Sequence, residues 1–134
     1  RGRRELSTGG PWEQVRLWRF ALAYMALIFV ISSFEVEVPG LHLFPLRDKG
    51  IHLVEYAVLG WLCAAAASRT WPVAPPCRTV GFAIFVSALW GLSDEIHQAF
   101  VPGRFSELND VIADLFGSAV GAISRHFFSS RTVS

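Results

Sequence analysis

Charge is what this sequence has least of. Only 17% of its 134 residues are Asp, Glu, Lys or Arg, against 52% hydrophobic. A soluble domain of this size needs a larger charged surface, so a free-standing soluble fold is not the reading to start from. The net charge of +1 excludes bulk attraction to nucleic acid. The placement of charge therefore carries more information than its sum. Cysteine is nearly missing as well. Cys63 sits in an apolar run and Cys77 in the loop after it, which makes no disulfide framework. Cys63 reads as a small core residue. There is no internal repeat and no low-complexity stretch. There is also no Ser nucleophile elbow and no His-Glu-x-x-His zinc pattern. The first apolar run is long and no Ala-x-Ala site follows it, which argues against a cleaved signal peptide. The Arg3-Arg4 pair lies too far upstream of that run to act as a twin-arginine signal.

What the chain does have is four long apolar stretches, about Leu17 to Phe34, Ile51 to Ser68, Val80 to just before Pro102, and Leu108 to Phe128. Each comes close to the roughly 20 residues that cross a hydrocarbon core. Pro39-Gly40 and Pro45, then Pro72, Pro75 and Pro76, then Pro102-Gly103 fill the breaks, where proline removes donors and stops helix propagation. The expectation is an all-α, polytopic four-helix membrane bundle. A polar, mobile lead-in up to Gln14 or Arg16 would precede a membrane domain over 17–128, with a short tail at 129–134. Leu41 to Arg47 is apolar but too short to span, and would dip into the interface. One domain is expected.

The third stretch fixes where charge lies in depth. Its uninterrupted apolar part, Val80 to Leu92, is 13 residues and cannot cross a bilayer. The helix must run on through Ser93, Asp94, Glu95, Ile96, His97 and Gln98, so carboxylates fall inside the span near its exit. The fourth helix mirrors this with Asp110 and Asp114 in its first turns. The second opens with Asp48, Lys49, His52 and Glu55. Helices that alternate in direction bring these three segments to one membrane face, whichever way the chain is inserted. Arg1, Arg3, Arg4, Arg16, Arg19, Arg69, Arg78, Arg125 and Arg131 fall on the opposite side, and only Arg47, Lys49 and Arg104 on this one. The positive-inside rule then gives N-in, C-in, with the polar cluster facing outward.

Helical spacing decides which groups can meet. Asp48 or Lys49, His52, and Glu55 or Tyr56 follow one another at three- and four-residue steps on one face. Asp94 and Gln98 share a face, with Glu95 and Gly91 beside them. His97 lies roughly 160° from Glu95 at ~100° per residue, so the two cannot point at one spot. Asp110, Asp114, Gly117 and Gly121 form one stripe, and its Gly-x-x-x-Gly end admits a close neighbour. Ionisable groups in a span are costly and usually paired. Arg104 is the natural partner for a carboxylate such as Asp110 or Asp114, or for a phosphate, held in bidentate fashion. His97 reads as rim or packing, His42 and His126 as interface residues, and Trp18, Trp71 and Trp90 as interfacial anchors, a reading open to Tyr56 too. Glu55 and Asp94 have bland readings too: a carboxylate that snorkels out, and one that solvates a helix end.

The order Asp48-Lys49-x-x-His52-x-x-x-Tyr56-x-x-x-Gly60 resembles the first motif of the VanZ-like family. So does Glu95-x-x-Gln98-x-Phe100-x-Pro102-Gly103-Arg104, followed by Asp110-x-x-x-Asp114-x-x-Gly117-x-x-x-Gly121. The likeness runs from Asp48 to Gly121, more than half the chain, with three motifs in order on the expected helices. Asp114 stands where the family often carries Asn, and a second acid there favours a metal or a paired arginine. Asp94, Glu55 and His97 are not carried over from the family pattern. The resemblance implies a small bacterial membrane protein of the cytoplasmic membrane, in a family whose founding member is associated with resistance to the glycopeptide teicoplanin.

The leading expectation is an outward-facing site for an anionic cell-envelope lipid, cell-wall precursor or glycopeptide-related ligand. Asp48, Lys49, Tyr56, Gln98 and Arg104 would bind the ligand, with Lys49 and Arg104 holding its phosphate or carboxylate. His52 would donate or accept a proton, with Glu95 and Asp110 orienting it as the other catalytic candidates. Asp110, Asp114 and Glu95 are the candidate ligands of a divalent cation, with hard oxygen donors favouring magnesium, calcium or manganese. Membrane lipids and a second copy of the chain are the other expected partners, and nucleic acid is not one. The rivals are a membrane-embedded hydrolase or transferase acting on a lipid head group by acid–base help, and a cluster that only fixes the bundle. A proton-coupled transporter is disfavoured by four helices without a broken-helix repeat.

Overall fold

The computed structural model describes residues 11–34, 47–104 and 106–131. These form four helices: α1 (Pro11–Ser32), α2 (Arg47–Thr70), α3 (Pro76–Gln98) and α4 (Leu108–Arg131). No strand occurs among the described residues. Residues 1–10, the 41–46 part of the expected interfacial segment, and His42 lie outside them.

Proline sets two of the helix starts. α1 begins at Pro11 rather than near Leu17, so Trp12, Glu13 and Arg16, expected in a mobile lead-in, are helical. α3 begins at Pro76 after an extended Pro75. At the first helical position proline's fixed φ fits and its missing N–H is not needed. Between α3 and α4, Val101, Pro102, Gly103 and Arg104 make a tight turn closed by the Arg104 N–H donating to the Val101 carbonyl at 3.1 Å. Gly103 has φ 83°, which a side chain would strain. This turn delivers Arg104 back over the end of α3.

The interior is made of small residues and the exterior of large apolar ones. Ala21, Cys63, Ala64, Ala83 and Ala122 are buried with Met25, Ile28, Tyr56 and Leu59. Phe20, Leu22, Phe29, Phe85, Leu89, Phe116 and Phe127 are exposed. That is the reverse of a soluble bundle and suits a lipid surround, where close helix contact rather than apolar burial holds helices together. α1, the 49–70 part of α2, and α3 are each long and apolar enough to cross a membrane. α4 has the length but not the uniform apolarity. Its exposed stripe of Leu108, Ile112, Leu115, Phe116, Val120, Ile123 and Phe127 is apolar, while Asp110, Asp114 and Ser118 are turned inward.

α2 and α4 run side by side in the same direction along a glycine seam. A Cβ on Gly117 would meet the Leu53 backbone, one on Gly121 the Ala57 carbonyl, and one on Gly60 the Ser118 backbone. Only hydrogen fits at these three points, so the backbones touch. The seam also fixes register: Lys49 falls opposite Asp110, and His52 opposite Asp114.

Candidate functional site

The end of the bundle where α1 and α3 finish and α2 and α4 begin holds a buried polar cluster. His52, Asp94, Glu95, Gln98, Asp110 and Asp114 are all less than a tenth exposed. Each reaches the cluster because its helix has the apolar residues of the same turns facing outward. Ile51, Leu53 and Val54 flank His52, Leu92 and Ile96 flank Glu95, and Ile112 and Leu115 flank Asp114.

Two chains of contacts run through the cluster. On the α1 side, the Ser32 hydroxyl donates to Asp94 Oδ1. Gln98 Nε2 donates to Asp94 Oδ2 at 2.8 Å, and Arg104 Nη2 donates to Gln98 Oε1 at 3.0 Å. On the α2–α4 side, Lys49 Nζ contacts Glu107 at 2.8 Å and Asp110 at 3.3 Å. One turn deeper, His52 Nδ1 lies 2.9 Å from Asp114 Oδ1. Glu95 stands between the two chains. Its Oε2 accepts the Glu107 backbone N–H at 3.0 Å and Ser106 approaches the same carboxyl. Glu95 Oε1, Asp114 Oδ2 and Arg104 Nε are buried without a hydrogen-bond partner among the described residues.

Room for Asp114 comes from Gly91. A Cβ there would lie 2.6 Å from Asp114 Oδ2 and about as close to the rest of the carboxyl. Gly91 and Glu95 are one turn apart on the same face of α3, so α3 presents both a vacancy for one acid and a second acid beside it.

Several sequence-derived pairings come out differently. Asp110 was expected to orient His52 and to complete a metal set with Asp114 and Glu95. Instead Lys49 engages Asp110, Asp114 is the residue on His52, and the group of adjacent ligand atoms is His52, Glu95 and Asp114, all within 4.8 Å. Asp110 lies a turn nearer the membrane face, level with the flexible Lys49 stem, while Asp114 is level with the shorter His52. Arg104 was the expected partner of Asp110 or Asp114. It pairs with neither, because the Pro102-Gly103 turn sets it over Gln98. Tyr56 lies below His52, fully buried, its ring parallel to the imidazole at 6.5 Å and its hydroxyl without a partner among the described residues. Asp48 lies in α2, but its side chain is outside the described residues.

Asp94 was set aside on the sequence, yet it is the anchor of the α1-side chain. Ser32 was missed altogether. The signal was available: Ser32 and Ser33 end the first apolar stretch at the same membrane face as Asp94. His97 turns away from Glu95, as its spacing requires. It stacks on Phe29 at 4.2 Å and lies 3.0 Å from the Ser33 hydroxyl.

Small residues inside, large apolar residues outside and buried carboxylates gathered at one end define a multi-span α-helical membrane protein. The sequence profile of the VanZ/LLP1 family matches residues 11–129, and the chain belongs to that family. No curated protein and no solved structure matches it.

Proposed function

We propose that this chain is a four-span protein of the bacterial cytoplasmic membrane that engages an anionic head group of the cell envelope at its outer face, and that this contributes to tolerance of the glycopeptide teicoplanin. The observation that carries the reading is the state of Arg104. Among the described residues it has no carboxylate at ion-pair distance and no partner on Nε, and a neutral amide holds it in place. A guanidinium positioned by an amide retains its charge and its planar fork for a phosphate or carboxylate. Lys49 contributes less than expected, since Glu107 and Asp110 already occupy it. The ligand therefore meets Arg104 at the rim, above the acids. The outward orientation rests on the arginine-rich opposite end.

The test is teicoplanin susceptibility in a sensitive bacterial host, comparing empty vector, wild type, Arg104→Ala and Glu95→Gln at matched membrane levels. Protection by wild type that Arg104→Ala abolishes is the expected result. No protection from well-expressed wild type overturns the resistance role. A fall in protein level for both variants would instead identify the cluster as a purely structural device.

A second reading, a hydrolase or transferase acting on a lipid head group, is favoured by the contact between His52 and Asp114, an imidazole oriented by a buried carboxylate. His52→Gln separates the two: an enzyme loses its effect, and a binder keeps most of it.

A further inference from the structure

We infer that His52, Glu95 and Asp114 form a site for a single divalent transition-metal cation of the manganese or zinc type. They come from three helices, α2, α3 and α4, and each presents a ligand atom within 4.8 Å of the other two. An ion bound at about 2.0–2.2 Å holds neighbouring donors about 3 Å apart and opposite donors about 4 Å apart. The 2.9 Å between His52 Nδ1 and Asp114 Oδ1 is the spacing of neighbouring donors. The ion would take the place of the proton those two atoms share.

The independent observation is a pair of buried carboxylate oxygens without hydrogen-bond partners among the described residues. Glu95 is 2% exposed and Asp114 fully buried, yet Glu95 Oε1 and Asp114 Oδ2 have no hydrogen-bond partner among the described residues. A carboxylate oxygen left so inside a membrane protein needs a proton or a cation. The nearby permanent cations do not serve. Lys49 is held by Glu107 and Asp110, and Arg104 by Gln98. The α1-side chain offers nothing further, since both oxygens of Asp94 already accept hydrogen bonds.

The donor set selects the ion. An imidazole nitrogen with two carboxylates suits zinc and manganese, whereas magnesium and calcium favour oxygen alone. Asp110 and the exposed Glu107 lie on the mouth side, where their charge draws a cation inward.

The test uses the full chain, purified in detergent without a polyhistidine tag and stripped with a chelator. Calorimetric titrations with Mn2+, Zn2+ and Mg2+ are combined with pulsed electron paramagnetic resonance of the Mn2+ form. The expected result is a single ion per chain, with Mn2+ or Zn2+ at least about tenfold tighter than Mg2+ and a nitrogen coupling that His52→Gln removes. Glu95→Gln and Asp114→Asn should each weaken binding about tenfold or more, while Asp94→Asn stays within about twofold. Absence of saturable binding in wild type overturns the inference. So does a Glu95→Gln chain that binds as wild type does, or a nitrogen coupling that survives His52→Gln. If Asp114→Asn does not fold, Glu95→Gln and the wild-type nitrogen signature still decide. No lipid or antibiotic is present, so this outcome stands apart from the susceptibility test.

Discussion

On the α1 side of the polar end, Asp94 has a partner on each oxygen, and the contacts pass from Ser32 to Arg104 without a gap. On the α2–α4 side, Glu95 and Asp114 are as deeply buried, yet each keeps an oxygen with no partner among the described residues. Both sides hold deeply buried carboxylates. What differs is how completely the carboxylates are satisfied. A closed buried network rigidifies the helices it joins. An open one costs stability and persists where something else is to be bound. The first half fastens the helices and presents Arg104 at its end, and the second holds acids left open to a further partner.

The most disruptive way to break this comparison is to remove the α2–α4 seam that sets the register of the second half. Gly121→Val would drive a side chain into the Ala57 backbone, which cannot give way. A loss of about 3 kcal/mol or more is expected, read as the fall in midpoint of SDS-driven unfolding in mixed micelles. A change within 1 kcal/mol would mean that the seam is not the support.

Within the cluster, the two halves should then part company. Asp94→Ala leaves Gln98 Nε2 without its acceptor and Ser32 with only the Phe29 carbonyl, and is expected to lower stability by about 2 kcal/mol. Glu95→Gln replaces a buried carboxyl by an amide of the same shape and is expected to change the stability of metal-free protein by less than about 1 kcal/mol, in either direction. If Glu95→Gln proves the more damaging of the two, the assignment of the fastening half and the open half is reversed.

The smallest effect belongs to the opposite end of the bundle. There Trp18 Nε1 donates to Thr70 Oγ1 at 2.9 Å, and Glu13 lies 3.7 Å from Arg69. Trp18→Phe should cost about 0.6 kcal/mol, the average of a hydrogen bond between membrane helices. It should leave teicoplanin susceptibility unchanged at matched protein levels.

The helices were legible in the sequence because apolar length and proline breaks are local signals. The gathering of polar residues at one end was legible because alternating direction is arithmetic. The partners were not. Spacing says that Asp110 and Asp114 share a face, but not which of them meets Lys49 and which His52. That depends on how far α4 slides along α2, which Gly60, Gly117 and Gly121 settle by backbone contact. Asp94 was passed over for a similar reason. A carboxylate near a helix end has a solvent-facing reading until the neighbouring helix is known to bring Ser32 to it. The three-helix meeting of His52, Glu95 and Asp114 is a tertiary fact, and only the stripe on α4 hinted at it.

The inward carboxylates of α4 also bear on how the protein is made. With its apolar residues outside and Asp110 and Asp114 inside, α4 presents lipid with an acceptable surface on one side only. A carboxylate at mid-helix costs about 2.5–3.5 kcal/mol to insert alone, and Asp110 and Asp114, nearer the helix start, carry a smaller share of that cost each. Once α2 and α3 are in place, Lys49, His52 and the hollow at Gly91 receive those acids. α4 is thus the helix that most needs α2 and α3 already assembled. Its entry into the membrane and its docking onto α2 become a single event.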